Sequence, residues 1–332
     1  MPTPSLLAMP GVTGALAERL EAGLAEVNAL LERRVDHDDP FVAEASGHLL
    51  AAGGKRFRPL LTLLAAEACG AVNEQVVAAA AGVELTHLAS LYHDDVMDDA
   101  TVRRGVPSAN AAYDNTVAIL VGDLLFGTAS EIVAGLGAEA VLIQAQTFVR
   151  LCSGQIRDTR PCPPGQDPVD YYLRVLADKT GVLVATAARY GAMFGGGSAE
   201  QVAVLRDYGE RLGVAFQLAD DLIDITSDGD ESGKTPGTDL REGVDTLAVL
   251  LARRSIDPAD ARLVELLCGA REDEAAHAET LALLRAHPAI EQARAQTRAV
   301  ADEARAHLAE LPPTAAREAL DALAGAVVDR VG

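Results

Sequence analysis

Twice in this chain an apolar helical run ends in the pattern Asp-Asp-x-x-Asp, first at Asp94-Asp95-Val96-Met97-Asp98 and again at Asp220-Asp221-Leu222-Ile223-Asp224. Residues four apart lie on one face of an α-helix, one turn from each other. Asp94 and Asp98 are therefore paired carboxylates, and so are Asp220 and Asp224. Like charges at this spacing repel and weaken a helix. They are good ligands for Mg2+, which takes one or two carboxylates and fills its shell with water and phosphate oxygens. A single pattern of this kind is equally compatible with a solvated acidic helix end. The repeat, 126 residues on (220 − 94), asks for a fold that holds two such helix ends in place.

The periodicity around them is helical nearly everywhere. Hydrophobic residues make up 49% of the 332-residue chain and aromatics 4%, with no Trp. The core must therefore be Leu, Val and Ala, which favours helix over sheet. Leu16 to Arg34 is amphipathic; Asp39-Pro40 reads as a cap and first helical residue, opening a helix that ends at Gly53-Gly54. Pro59 starts a helix that stops at Gly70, and Asn73 caps the long helix that runs into Asp94. Further helices are expected over Thr116–Leu136, Ala138–Arg157, Asp167–Lys179 and Val182–Phe194. Ser198 with Gln201 makes a capping box for a helix running to Asp224 or beyond. Residues from Asp245 onward read as scaffold helices broken near Pro258, Pro288 and Pro312-Pro313. No strand series and no constant-period repeat stand out. The expectation is an all-α, single-domain helical bundle over 15–332, preceded by a tail over 1–14.

The formal net charge of −21 argues against sequence-independent binding of nucleic acid, which needs Lys and Arg to neutralise phosphates. An acidic chain that binds an anion must use local cations or metal. Four scattered cysteines, Cys69, Cys152, Cys162 and Cys268, have no zinc or redox spacing. No uninterrupted run of 18 apolar residues appears, so no membrane-spanning helix is expected. Met1 to Gly14 lacks the basic and apolar regions of a signal peptide. These features together suggest a cytoplasmic protein.

Local cations are present. Gly53-Gly54-Lys55-Arg56-Phe57-Arg58-Pro59 places three cations beside glycines that let backbone approach an anion, ahead of a helix N-terminus. Arg103-Arg104 follows Asp98 within one loop, and Lys179-Thr180 and Lys234 lie close to expected helix breaks. His87 lies seven residues, two turns, before Asp94 on the same face. Each piece alone reads as solvated surface or structural histidine; together they suit a phosphorylated substrate held by metal and by fixed charge.

These residues, in this order, resemble the trans-isoprenyl diphosphate synthases of the polyprenyl synthetase family. The resemblance rests on Gly54-Lys55-Arg56-Phe57-Arg58-Pro59, His87, Leu91 to Asp98, Arg103-Arg104-Gly105, Gly122-Asp123-Leu124-Leu125, Lys179-Thr180, Phe216 to Asp224, and Gly233-Lys234 with Asp239-Leu240. It spans roughly residues 50 to 250. It implies an all-α isoprenoid synthase bundle around a deep central cavity, Mg2+ dependence with three ions, and a homodimer. It also implies the roles. Asp94 and Asp98 are ligands of the first Mg2+ cluster, with Asp95 in support; Asp220 heads the second, with Asp221 and Asp224. Arg103, Lys179, Gln217 and Lys234 contact the allylic diphosphate. Lys55, Arg58, His87 and Arg104, beside Gly54, hold isopentenyl diphosphate. The implied chemistry is ionisation, condensation and elimination, with Thr180 and Gln217 turning oxygens toward the carbocation. One departure is Thr246-Leu247-Ala248 where the family has Thr-Leu-Pro, at a position expected to open a scaffold helix.

Product length is expected to depend on what lies along the helix below Asp94. Ser90 is one turn down, Thr86 a further turn, and Ala89 the fifth residue back, where short-chain relatives tend to carry a bulky aromatic. All are small, which predicts a product longer than fifteen carbons, in the long-chain class. A floor formed elsewhere, by Tyr92, Met97 or Phe126, would stop growth at twenty, as in a geranylgeranyl diphosphate synthase. A terpene cyclase or head-to-head condensing enzyme is disfavoured by the second diphosphate site, Lys55, Arg58 and Arg104. A non-catalytic subunit of a heteromeric synthase is disfavoured by the two intact acidic motifs.

Overall fold

The computed structural model describes residues 12–227, 236–269 and 273–330. Among them the regular structure is sixteen α-helices, one π-helical and two 3-10 turns, and one short hairpin. The chain opens with α1 (Gly14–Val35), α2 (Pro40–Ala51), α3 (Phe57–Cys69) and α4 (Glu74–Met97). A two-stranded antiparallel hairpin, Val102–Arg103 with Val106–Pro107, pairs Val102 with Pro107 and Arg103 with Val106. Next come α5 (Ala109–Tyr113), α6 (Asn115–Ala134), α7 (Ala138–Asp158) and α8 (Pro168–Leu176). A π-helical turn, Ala177–Gly181, carries α8 without a break into α9 (Val182–Phe194), which is followed by α10 (Ala199–Thr226). The remainder is α11 (Thr238–Glu242), α12 (Leu247–Ala252), α13 (Ala261–Cys268), α14 (Glu274–Ala286), α15 (Ala289–His307) and α16 (Ala315–Asp329).

Caps fall where the sequence places them. Asp39 accepts from the N–H groups of Phe41 and Val42, Asn73 from those of Gln75 and Val76, and Ser198 and Gln201 close a full capping box. Four local expectations are corrected. The helix expected to open at Pro59 begins at Phe57; proline in the first turn gives up an N–H that has no partner inside the helix anyway. The basic loop after Asp98 is a hairpin, because Arg104 and Gly105 both adopt positive φ (54° and 79°), the geometry of a tight two-residue turn. The break expected after Lys179 is absent: Gly181 stays helical. The segment expected as a loop over Thr226 to Gly243 contains α11, and Lys234 lies outside the described residues, as do 1–11 of the expected tail.

The core explains why α4 carries the first acidic motif. Val76, Ala79 and Val83 pack into one apolar cluster with α3, α9 and α10. Leu85, Leu88, Ala89 and Tyr92 pack into a second with α2, α5 and α6. Buried on both sides over its middle, α4 keeps there a half-buried stripe that includes His87, Ser90, Leu91 and Asp94, continued by exposed Asp98. Truncating Leu88 to Ala would cost about 2–5 kcal/mol by opening a cavity in that packing.

α6 differs from the run-length expectation. With a mean hydropathy of 1.8 it is long and apolar enough, by length and composition, to cross a membrane. Asp123 and Glu131 interrupt the run without making it polar on average. Its two faces have different fates. Ala118, Val121, Leu125, Ala129 and Ile132 are buried against α4, whereas Ile119, Leu120 and Leu124 are exposed.

Candidate active site

Asp94 and Asp98 project from the end of α4 with different partners from Asp95 between them. Asp95 is fully buried and both its oxygens are taken: Oδ1 accepts from Arg103 Nε at 2.7 Å and Oδ2 from the Ala109 N–H at 2.9 Å. Asp95 thus fastens the hairpin and the start of α5 to α4. Arg103, held there, lies 3.9 Å from Asp98. Asp94 has no hydrogen-bond or ion-pair partner among the described residues. Burial pushes its carboxyl up to about 6; Lys179 and Arg103 pull it down and Asp98 adds to the rise. A desolvated carboxylate short of positive charge beside a second carboxylate is a site whose chemistry suits a divalent cation. Among the described residues no three Asp, Glu, His or Cys side chains converge as a ready-made metal cage. Mg2+ at such a site would complete its shell with substrate phosphates and water.

Behind Asp94 lies a basic cluster. Arg104 donates to Leu49 O at 2.9 Å and to Gly53 O. Gly54, at φ 135°, makes this possible, because a Cβ there would sit 2.9 Å from the Arg104 guanidinium carbon. Sequence spacing suggested that the glycine admits an anion; the structure shows that it admits an arginine. Arg56 braces the interior, donating to Asn28, buried Glu84, Gly53 O and Leu50 O. Arg58 points a buried, unpartnered Nε into this region, and burial lowers its guanidinium pKa. His87 is held neutral, well below its ordinary value, by burial and then by Arg58, Arg104, Arg103 and Arg56. Lys55 is exposed at the rim. Converging arginines with an unsatisfied donor beside a neutral imidazole have the chemistry to receive an anion.

The π-helical turn joins the two acidic motifs. On one side Lys179 Nζ bonds Asp158 at 2.7 Å. Burial pulls its ammonium down, but Asp158, Asp94 and Asp98 more than offset this and leave it raised. On the other side Thr180 Oγ1 donates to Gln217 Oε1 at 3.3 Å. The turn is held by Asp178, gripped by Arg150 at 2.8 Å and by Arg157. Gly154 of α7 lets it close in, since a Cβ there would lie 2.6 Å from Lys179 N. π-turns inside α-helices are frequent at functional sites.

The second motif is engaged differently. Asp220 pairs with Arg330 at 2.6 Å, and that guanidinium also lies over the Phe216 ring at 4.9 Å. Asp221, 7% exposed, accepts from Gln217 Nε2 at 2.9 Å and from the Tyr172 hydroxyl. Burial pushes it up to about 6 despite these two bonds. Asp224 accepts the N–H groups of Thr238 (3.2 Å) and Asp239 (3.1 Å), capping α11. Of the three, Asp220 is the one whose described partner is a single, surface-lying cation.

Sequence reasoning missed Glu84, Asp178, Tyr172 and Arg330. Glu84 carried a signal, a charge inside an unbroken apolar stretch. Arg330 carried none, lying 110 residues from Asp220. Along α4, the hydroxyls of Ser90 and Thr86 turn back onto their own helix, to His87 O and Gly82 O, both at 2.8 Å. Ala89 is buried in the cluster shared with α2 and α6. Tyr92 is tied into α2 through Ala45 O at 2.6 Å, Met97 is exposed, and Phe126 stacks on Phe148 at 3.9 Å.

Comparison with known proteins fits this geometry. The polyprenyl synthetase family model matches residues 39–284. Nonaprenyl diphosphate synthase of Mycobacterium tuberculosis is 49% identical over 317 residues, covering 95% of each chain. The crystal structure of a decaprenyl diphosphate synthase from Rhodobacter capsulatus superposes with a TM-score of 0.87 at 36% identity, covering 95% of this chain and 98% of that one. Geranylgeranyl pyrophosphate synthase from Corynebacterium glutamicum, complexed with calcium and isoprenyl diphosphate, gives a TM-score of 0.87 at 42% identity, covering 96% and 98%. With the paired acidic motifs, the basic cluster and the all-α isoprenoid synthase bundle in place, the chain belongs to the polyprenyl synthetase family.

Proposed function

We propose that this chain is a trans-polyprenyl diphosphate synthase. It condenses isopentenyl diphosphate with an allylic diphosphate by ionisation, condensation and elimination, giving a linear all-trans product longer than fifteen carbons. One observation carries the reading: α4 ends in a carboxylate pair short of positive charge, and two turns back its His87 faces an arginine cluster with an unsatisfied donor. Two anions are thereby received in two ways, one through metal and one through guanidinium.

Asp94, Asp98 and Asp220 are the residues that would hold Mg2+, three ions in the substrate complex, with Asp221 and Asp224 behind Asp220. When bound, Mg2+ neutralises the allylic diphosphate and makes it a leaving group. Arg103 and Lys179 complement that charge from the protein side. Arg58, Arg104 and neutral His87, with Lys55 at the rim, fix isopentenyl diphosphate, and Gly54 keeps Arg104 in place. Thr180 and Gln217 present oxygens toward the positive charge that develops on the allylic carbons. The double bond of isopentenyl diphosphate attacks those carbons, and the departed diphosphate takes the proton then lost. Burial of the site keeps water from the cation. Lys234 is proposed as an allylic-diphosphate contact by resemblance alone. The small residues Thr86, Ala89 and Ser90 are proposed to let the tail lengthen along α4.

The chain is proposed to act as a cytoplasmic homodimer, with 15–332 as one polyprenyl synthetase domain. The apolar face of α6 (Ile119, Leu120, Leu124) and the neighbouring face of α7 (Leu142, Val149, Ile156) are exposed, and a two-fold pairing of such faces is self-complementary. The test is purified protein with Mg2+, isopentenyl diphosphate and allylic primers of several lengths, with products resolved by chain length. Linear products beyond fifteen carbons are expected. Cyclic hydrocarbons, or no product without a second protein, would overturn the reading, and a product stopping at twenty would place the floor higher than Thr86.

A further inference from the structure

We infer that Tyr172 is a positioning residue which, through Asp221, fixes the direction in which the Gln217 side-chain amide faces. This inference rests on the proposed function for its consequence, but not for its geometry. Tyr172 stands on α8, seven residues before Lys179, and is 9% exposed. Its hydroxyl donates to Asp221 Oδ2. The other oxygen, Oδ1, accepts from Gln217 at 2.9 Å.

An ionised carboxylate has no proton to give. The Gln217 group that meets it must be the NH2, and the carbonyl oxygen is turned the other way. There it meets the Thr180 hydroxyl, 3.3 Å away, on the π-helical turn. The four groups form one directed chain: Tyr172 O–H to Asp221, Gln217 N–H to Asp221, Thr180 O–H to Gln217. Inverting the amide would set the carbonyl oxygen against the carboxylate, where two acceptors face each other, and would leave Thr180 without its acceptor.

The direction matters for the chemistry proposed above. A carbonyl oxygen presents partial negative charge to a developing allylic cation, whereas an NH2 presents partial positive charge. Tyr172 does not touch the reacting atoms. It holds Asp221 in the one orientation that keeps the amide correct, and Asp221 keeps that orientation because Tyr172 and Gln217 occupy both its oxygens.

The test removes the hydroxyl and keeps the ring. Tyr172→Phe is expected to lower kcat about tenfold, the factor carried by one net hydrogen bond. The KM values for both diphosphates should stay within about twofold, because no substrate contact is lost. In a Gln217→Ala background the same substitution is expected to change kcat by less than about twofold, since the group it orients is gone. An equal loss in both backgrounds would show that the Tyr172 hydroxyl acts without Gln217, through Asp221 itself, and overturn the inference. A second measurement does not depend on turnover. In 15N-labelled protein the Gln217 side-chain NH2, assigned by its disappearance in Gln217→Ala, should exchange slowly with solvent and lose that protection in Tyr172→Phe. An unmoved, equally protected NH2 resonance in Tyr172→Phe would overturn the inference even in a protein that makes no prenyl product. A parent without turnover but with the expected NMR change would instead count against the proposed function.

Discussion

The two acidic motifs have the same letters at the same spacing, yet they differ in how many carboxylates they leave for a ligand. At the end of α4 the middle residue, Asp95, is consumed by structure, and Asp94 and Asp98 remain directed at the site. In α10 the pattern is the reverse. Asp221 and Asp224 are both engaged, by Tyr172 with Gln217 and by the start of α11, and among the described residues Asp220 meets a single exchangeable cation. The difference arises from neighbours. α4 ends in a tight hairpin whose Arg103 returns to Asp95, while α10 ends where α11 turns its N–H groups onto Asp224. Equal spacing sets equal helix faces; the chain that follows decides which carboxylates stay available.

The sharpest way to break this contrast is to remove matched residues from the two motifs. Asp98→Ala should lower kcat by about 10³-fold or more, as for loss of a principal electrostatic stabiliser. Asp224→Asn should cost about tenfold, the effect of weakening backbone hydrogen bonds at a helix start, with faster hydrogen exchange over 238–242. Steady-state kinetics with exchange mass spectrometry reads both. Equal losses at the two positions would mean that Asp224 leaves α11 to act as a ligand in the substrate complex.

A second contrast concerns stability. Asp94 is raised to about 6 from 3.8 by burial, which outweighs the pull of Lys179 and Arg103, and its side chain has no hydrogen-bond or ion-pair partner among the described residues. A carboxyl with a raised folded pKa holds its proton in the native state when the unfolded chain has lost it, so it destabilises the fold as pH rises between those two values. Asp94→Asn should therefore stabilise the metal-free protein by about 1–3 kcal/mol at neutral pH, and by nothing well below pH 3.8, where both states are protonated. Urea melts in chelator at both ends of that window measure it. The same variant should have lost turnover. A destabilised Asp94→Asn at neutral pH would show that Asp94 has a cationic partner after all.

How much of this was open to sequence reasoning depends on the range of the interactions. α2, α4 and α10 were legible because their caps and periods are local: Asp39, Asn73 and Ser198 act on N–H groups two or three residues away. Asp94, Asp98 and Asp220 were legible because spacing alone sets a helix face. The engagement of Asp95 and Asp224 was not, since the groups that take them, Ala109 N–H and Thr238 N–H, lie 14 residues on, across a hairpin and a loop. The π-turn was read as a break because Lys-Thr-Gly looks like a helix end; Gly154 and the Asp178 grip, from another helix, keep it wound. That Arg104 packs on Gly54 was not legible either, since the hairpin's positive-φ turn sends Arg104 back to it.

The smallest expected effect tests the remaining asymmetry, the arginine on Asp220. Arg330 pairs with that carboxylate from the last turn of the described chain, with its guanidinium over Phe216 and both side chains of the pair about one-third exposed. An exposed pair of this kind contributes about 0.2–1 kcal/mol. A cation that needs Asp220 must first displace it. Arg330→Ala should therefore tighten Mg2+ binding, titrated by calorimetry in the presence of inorganic diphosphate, by about two- to fivefold. The same substitution in an Asp220→Asn background should change nothing, because the competition has lost its object. Weaker Mg2+ binding in Arg330→Ala would reverse the assignment: the arginine would then be a diphosphate contact released by the metal rather than a competitor for its ligand. In that case the second motif would supply two charges of opposite sign to the site, and the contrast with α4 would be one of chemistry as well as of number.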